Sequence, residues 1–160
     1  MLAKEIFSFP HPVNDYAARA VAGMVSVMAI FTVVFQLGFM LPVLTLGFAA
    51  RVLTGPTLSP AGQLATRVIV PMLGNRTKMV AGPPKRFAQA IGLLFTLGST
   101  GLYFVGDNSI AAFGLIAVLT IFALLESVLG FCTGCFVFNL LMKTGIIPTT
   151  ICEKCNNLFD

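Results

Sequence analysis

The chain contains four cysteines, and all of them belong to two Cys-x-x-Cys pairs. Cys132 and Cys135 lie in an apolar run, whereas Cys152 and Cys155 lie in a polar C-terminal tail. Thiols three residues apart share one face of a helix, so they can form a disulfide, carry sulfane sulfur or bind a soft metal ion. These four side chains are therefore the candidate reactive or metal-binding groups of the chain.

The first pair is expected to have the usual arrangement of a reactive dithiol. Gly130 predicts a break in the helix, which would place Cys132 in the first turn of a new short helix. There the helix dipole and free amide groups favour a thiolate. With Cys152 and Cys155 as the exchange partner, this arrangement predicts a thiol–disulfide or sulfane-sulfur relay, and whether the protein is an enzyme stays open.

Two other uses of the thiols remain open. The spacing Cys-x2-Cys-x16-Cys-x2-Cys fits a four-cysteine zinc site on count alone, with Cys132, Cys135, Cys152 and Cys155 as ligands. The intervening residues 136–151 favour a helix and a linker rather than the ribbon hairpin of soluble zinc modules. A purely structural role is the third alternative, because free cysteine is among the most buried residue types. Zinc is the only cofactor that these residues suggest.

The composition places the chain in a membrane. Of its residues, 57% are hydrophobic and 10% are charged, whereas soluble domains contain about 25% charged residues. We expect a single all-α integral membrane domain covering residues 1–160. Phosphate-binding loops, Ser/His/Asp sets and dinucleotide fingerprints are not apparent.

The uncharged runs predict four transmembrane helices as two hairpins. Residues 20–50 form an uncharged run of 31 residues, too long for one span of about 20 residues. A turn at Gln36-Leu37-Gly38 divides the run into helices at about 16–36 and 40–54. The second hairpin is expected from the uncharged runs 87–106 and 108–125, which are separated by Asp107. Each hairpin would be followed by a short interfacial helix, the first one at about 58–73.

Charge sets the orientation. Residues 51–86 carry six of the ten basic side chains and no acid. The positive-inside rule then predicts that both termini and this loop are cytoplasmic and that both tight turns face outward, in a multi-pass protein of a bacterial inner membrane. The loop lacks interleaved aromatic residues, so we attribute its charge to topology and to the anionic lipid bilayer, not to nucleic acid.

A shift of about 75 residues aligns the two halves as a parallel pseudo-repeat, residues 12–73 and 84–148, with a tail at 149–160. The shift makes Arg51 and Glu126 symmetry mates at the ends of the second and fourth helices. Because a lone carboxylate in an apolar run usually has a partner, we predict an Arg51–Glu126 ion pair. The alternative is that Glu126 reaches interfacial water. The repeat also leaves open a small carrier for a sulfur-containing solute, which four helices could form only as a homodimer.

Three stretches carry a resemblance to a known family: residues 9–19, the pairs Gly55-Pro56 and Ser59-Pro60, and residues 126–135 with their Gly-Phe-Cys-x-Gly-Cys sequence. They resemble the bacterial membrane proteins grouped as domain of unknown function 4395, over nearly the whole chain. The resemblance implies no established activity. Its association with thioredoxin-like and sulfurtransferase proteins implies thiol or sulfur traffic with such a partner.

Overall fold

A computed structural model describes residues 12–148, which form six helices and one short strand pair. The first half comprises β1 (Val13–Asn14), α1 (Asp15–Val34), α2 (Met40–Thr54) and α3, which starts as Pro60–Leu64, widens into a π-helical segment, Ala65–Ile69, and ends as Val70–Met72. The second half comprises β2 (Met79–Val80), α4 (Gly82–Phe104), α5 (Ser109–Leu124, continued by a π-helical segment, Leu125–Leu129) and α6 (Thr133–Lys143).

The helix ends follow from local chemistry. Asn14 caps α1 by accepting a hydrogen bond from the Tyr16 amide at 3.1 Å, and Asn108 caps α5 by accepting one from the Ala111 amide at 3.0 Å. The turn between α1 and α2 lies where the sequence predicts it, with Gln36 in the left-handed region at φ 50°. A Cβ at Gly38 would overlap the Tyr103 ring, so a larger residue there would have to displace that ring.

Three helices are long and apolar enough to cross a membrane: Asp15–Val34, Gly82–Phe104 and Ser109–Leu129. Helix α2 has 15 residues, about 22 Å at the α-helical rise, which is shorter than a hydrocarbon core of about 30 Å. Large apolar side chains such as Phe31, Leu46 and Leu94 are exposed along the helices. A surface of this kind suits lipid rather than water.

The helices pack as α1 against α5 and α2 against α4, with α4 also against α5. Hydroxyl groups bridge two of these contacts. Ser99 Oγ donates to the Ala112 carbonyl at 2.8 Å, and the Thr45 and Thr100 hydroxyls are 3.0 Å apart. Such interhelical bonds are typical of helices packed in lipid, where polar groups find no water.

The two halves share one order of elements: strand, long helix, tight turn, second helix, glycine at positive φ and short helix. The breaking glycines are Gly55 at φ 64° and Gly130 at φ 69°. The strands pair antiparallel, with Val13 opposite Val80. The predicted sequence repeat itself stays a prediction, as does the location of α3 and α6 at a membrane surface.

One end of the bundle brings together the starts of α1 and α4 and the ends of α2 and α5. Lys85 at the start of α4 contacts Asp15 at the start of α1 and Glu126 at the end of α5. Arg86 Nε donates to the Val52 carbonyl at 3.0 Å, which brings the end of α2 to the same place. We call this the basic end of the molecule, because the segment between α2 and α4 also exposes Arg67, in α3, and Lys78, just before β2.

Candidate functional site

A buried charged cluster occupies the basic end and consists of Asp15, Arg51, Lys85 and Glu126. Lys85 Nζ lies 3.0 Å from Asp15 Oδ1 and 2.8 Å from Glu126 Oε1. Its side chain is 7% exposed, and those of the two carboxylates are 11% and 13% exposed. The lysine therefore joins the ends of three helices, α1, α4 and α5, through two ion pairs that are largely shielded from water.

The partner predicted for Glu126 was wrong. Among residues 12–148, its carboxylate forms its ion pair with Lys85 and not with Arg51. Glu126 and Arg51 interact only through their charges at longer range. The physical reason is the packing: α4 lies against both α2 and α5, so its first-turn lysine takes the position next to the carboxylate.

Arg51 is buried, and no carboxylate among residues 12–148 lies at ion-pair distance from its guanidinium. It is 5% exposed, and its guanidinium lies 4.2 Å from the centre of the Phe48 ring, a cation–π contact. Its Nε has no hydrogen-bond partner among the described residues. Buried charges are normally paired, so this arginine is an unusual feature of the cluster.

A π-helical segment, Leu125–Leu129, delivers Glu126 to the cluster at the end of α5. Single π turns inside helices are frequently found at functional sites. The segment stops at Gly130, and Arg19 from α1 covers its end by donating from Nη2 to the Val128 carbonyl at 3.0 Å. The arginine thus satisfies a carbonyl that the helix end leaves without an intrahelical partner.

The Cys132–Cys135 pair follows directly and opens α6. The two sulfur atoms lie at disulfide-bonding distance, and the Cα atoms are 5.2 Å apart, inside the range that a disulfide requires. Cys132 is the N-cap, and its Sγ accepts a hydrogen bond from the Cys135 amide at 3.3 Å. The predicted helix break at Gly130 is confirmed, and a new short helix follows it, with Cys132 as its N-cap rather than a residue of its first turn.

The cysteine pair is held against α4 by close backbone packing. A Cβ added to Gly134 would lie 2.5 Å from both Cα and Cβ of Ala88, a distance that no rotamer change can relieve. Farther along α6, Phe138 is buried against Phe87, with ring centroids 5.5 Å apart. Glycine between the two cysteines is therefore a packing requirement as well as a small spacer.

Two adjacent cavities lie beside these groups. The first, the Arg51 cavity, has a volume of about 190 Å³ and is lined by Arg51, Lys85 and Gln89 together with apolar residues of α1. The second, the Cys132 cavity, has a volume of about 180 Å³ and is lined by Cys132, Glu126 and Gln89. Gln89 lines both cavities, so the charged cluster and the cysteine pair share a wall.

Three buried polar atoms in these walls have no hydrogen-bond partner among residues 12–148: Arg51 Nε, Gln89 Oε1 and Thr133 Oγ1. Arg51 lines the first cavity, Thr133 lines the second, and Gln89 lines both. Buried polar groups in folded proteins are satisfied in the great majority of cases. These three atoms are therefore available for hydrogen bonds to a polar ligand or to water in the two cavities.

The tail pair, Cys152 and Cys155, lies outside the described residues. Within residues 12–148, no group of three or more His, Cys, Asp or Glu side chains is placed to hold a metal ion. The four-cysteine zinc site needs the tail pair, so it stays a prediction.

Sequence reasoning missed Lys85 and Asp15. A signal for both was present, because each is a charged residue at the edge of an apolar run that forms a long helix. Lys85 also lies in the first turn of α4, where a cation opposes the helix dipole and so calls for nearby carboxylates. Gln89 and Thr133 carried no comparable signal, since single neutral polar residues are common in membrane helices.

Comparison with known proteins gives one match. The family model described as Domain of unknown function (DUF4395) matches residues 13–143, a range that includes the charged cluster and the first cysteine pair. No curated protein and no solved structure matches the chain. The chain therefore belongs to the family of the Domain of unknown function (DUF4395).

Proposed function

We propose that Cys132 and Cys135 form a reversible dithiol–disulfide pair that exchanges electrons or sulfane sulfur with a soluble partner at the cytoplasmic face of a membrane. The observation that carries the proposal is the spacing of this pair, with both sulfurs at bonding distance across the first turn of α6. Reduction of the disulfide takes two electrons and two protons from a partner dithiol, which becomes a disulfide. Sulfane-sulfur transfer instead moves one sulfur atom from a partner persulfide to a thiolate of this pair.

The surroundings of Cys132 support nucleophilic chemistry. The hydrogen bond from the Cys135 amide and the positive end of the α6 dipole both stabilise negative charge on its sulfur. Both cysteines are half-buried rather than enclosed, which leaves room for an attacking thiol. The adjacent cavity supplies space for the incoming group.

The tail pair is the proposed exchange partner of the first pair. Cys152 lies 17 residues after Cys135, and eleven residues, Thr133–Lys143, form α6. A soluble thioredoxin-like or sulfurtransferase protein would react first with Cys152 or Cys155 and then, through them, with the first pair. Such a partner matches the thiol chemistry and reaches the tail without entering the bilayer.

The proposed topology has four crossings with both termini in the cytoplasm of a bacterium. Three helices meet the length and hydropathy of a span, and α2 would cross as a shorter fourth one. The exposed Arg67, Arg76 and Lys78 lie in the segment between α2 and α4, which includes α3, and basic connecting segments stay in the cytoplasm. Cys132 and Cys135 are at the same end of the bundle.

Labelling with a membrane-impermeant maleimide tests sidedness and chemistry together, in a Cys152→Ser, Cys155→Ser variant. In inside-out vesicles we expect two labels per chain under reducing conditions, loss of both after mild oxidation and recovery with a dithiol reductant. Right-side-out vesicles should take up no label in either state.

A variant that also carries Cys132→Ser is the matched control, because its single Cys135 thiol cannot form an intramolecular disulfide. It should keep its one label after the same oxidation. Labelling from the outer side would contradict the proposal. So would equal labelling of the Cys152→Ser, Cys155→Ser variant before and after oxidation.

A further inference from the structure

The buried guanidinium of Arg51 needs an anion that the described chain does not supply. Asp15 and Glu126 are the carboxylates of the charged cluster, and both form ion pairs with Lys85. Arg51 contacts the Phe48 ring and feels Glu126 only through their charges at longer range, and no carboxylate of residues 12–148 lies at ion-pair distance from it. An arginine presents five donors in a planar fork that fits carboxylate and oxyanion oxygens, and here the Nε donor is unused among residues 12–148.

The Arg51 cavity has the size for a small ligand. Its volume of about 190 Å³ is more than ten times the roughly 10–15 Å³ of such space that holds one water molecule. Its lining combines the donors of Arg51 and Lys85 with apolar residues such as Ala17 and Val21. A mostly apolar pocket with a few convergent polar groups is the usual form of a small-molecule site.

We propose that the Arg51 cavity binds a small carboxylate or oxyanion, with Arg51 as its main ligand and Gln89 as a second polar contact. The amide of Gln89 lines this cavity, and its Oε1 has no partner within the described residues. Its oxygen can accept a hydrogen bond from a ligand hydroxyl or amine, and the amide nitrogen can donate to an anionic oxygen. The site does not depend on the proposed thiol exchange.

The test uses the full chain purified in a mild neutral detergent, with chloride as the reference salt. Acetate, phosphate, sulfate and thiosulfate are titrated separately at constant ionic strength, and binding is followed by calorimetry and by the midpoint of thermal unfolding. We expect at least one of the four anions to bind and to raise the midpoint relative to chloride.

Arg51→Met is the informative variant, because methionine keeps much of the side-chain volume and removes the unpaired charge. Removing Arg51 takes the counter-ion from no ion pair of residues 12–148, and it also removes the desolvation cost of a buried charge, so we expect the anion-free variant to fold. Its affinity for the bound anion should fall by about tenfold or more. Arg67→Met makes the same change at an exposed arginine and should bind like the parent protein.

Phosphate can also come from a lipid headgroup, so a second arm compares neutral phosphatidylcholine vesicles with vesicles that contain phosphatidylglycerol. Stabilisation by phosphatidylglycerol that Arg51→Met abolishes would support the site with a lipid phosphate as the occupant. The proposal is overturned if neither free anions nor the anionic lipid stabilise the parent protein. It is equally overturned if Arg51→Met and Arg67→Met respond alike.

Discussion

Replacing Lys85 with methionine is expected to destabilise the protein by about 3–5 kcal/mol, because it leaves two buried carboxylates without a counter-ion. In the parent protein, Lys85 Nζ is 3.0 Å from Asp15 and 2.8 Å from Glu126. Without the ammonium group, the two acids repel each other and keep their desolvation cost. The measurement is the unfolding midpoint in mild detergent, by heat or by titration with a denaturing detergent.

Lys78→Met is the matched control, since it makes the same chemical change at an exposed side chain of the basic loop. Its midpoint should stay close to that of the parent protein. Adding Asp15→Asn and Glu126→Gln to Lys85→Met should recover part of the loss, because no buried carboxylate then remains unpaired. If Lys85→Met were as stable as Lys78→Met, the ion pairs would not hold the three helices together.

Gly134→Val is expected to give the second largest effect. Even a Cβ at this position would lie 2.5 Å from backbone and side-chain atoms of Ala88, so valine must push the start of α6 away from α4. Overpacking of this kind costs about 1–3 kcal/mol. Because Cys132 and Cys135 flank the glycine, we also expect both thiols to react faster with maleimide when reduced.

Gly114→Val is the control for this substitution. Gly114 lies in α5, is exposed and would have no atom within 4 Å of its added Cβ. Its stability should equal or slightly exceed that of the parent protein, since an exposed helix glycine is entropically unfavourable. An equal loss in both variants would mean that the contact between α4 and α6 does not hold the cysteine pair.

The local features of the fold could be predicted from the sequence because each has a local cause. The turn at Gln36, the turn at Asp107 and the helix break at Gly130 all depend on a few neighbouring residues. The start of α6 at the first cysteine pair followed from the same reasoning. Segment length and hydropathy identified the three long helices, although they do not decide how α2 relates to the bilayer.

The charged cluster could not be predicted in the same way. Several charges were expected at one end of the bundle, but which of them meet depends on how α4 is rotated and which helices flank it. A repeat makes Arg51 and Glu126 symmetry mates, and symmetry mates need not touch. Lys85 lies between Asp15 and Glu126 only because α4 packs beside α5 and near the start of α1. The two cavities likewise arise from packing and leave no pattern in the sequence.

The central claim is that Cys132 and Cys135 are a reversible redox pair, and a redox titration of the full chain in mild detergent tests it most directly. The protein is equilibrated with dithiol buffers of graded potential, quenched with acid and alkylated, and each thiol is then quantified by peptide mass spectrometry. The same peptides reveal any disulfide that joins the first pair to Cys152 or Cys155, as the relay requires. We predict that Cys132 and Cys135 lose their free thiols together, at one midpoint and reversibly. Free thiols on both residues at every potential would contradict the claim.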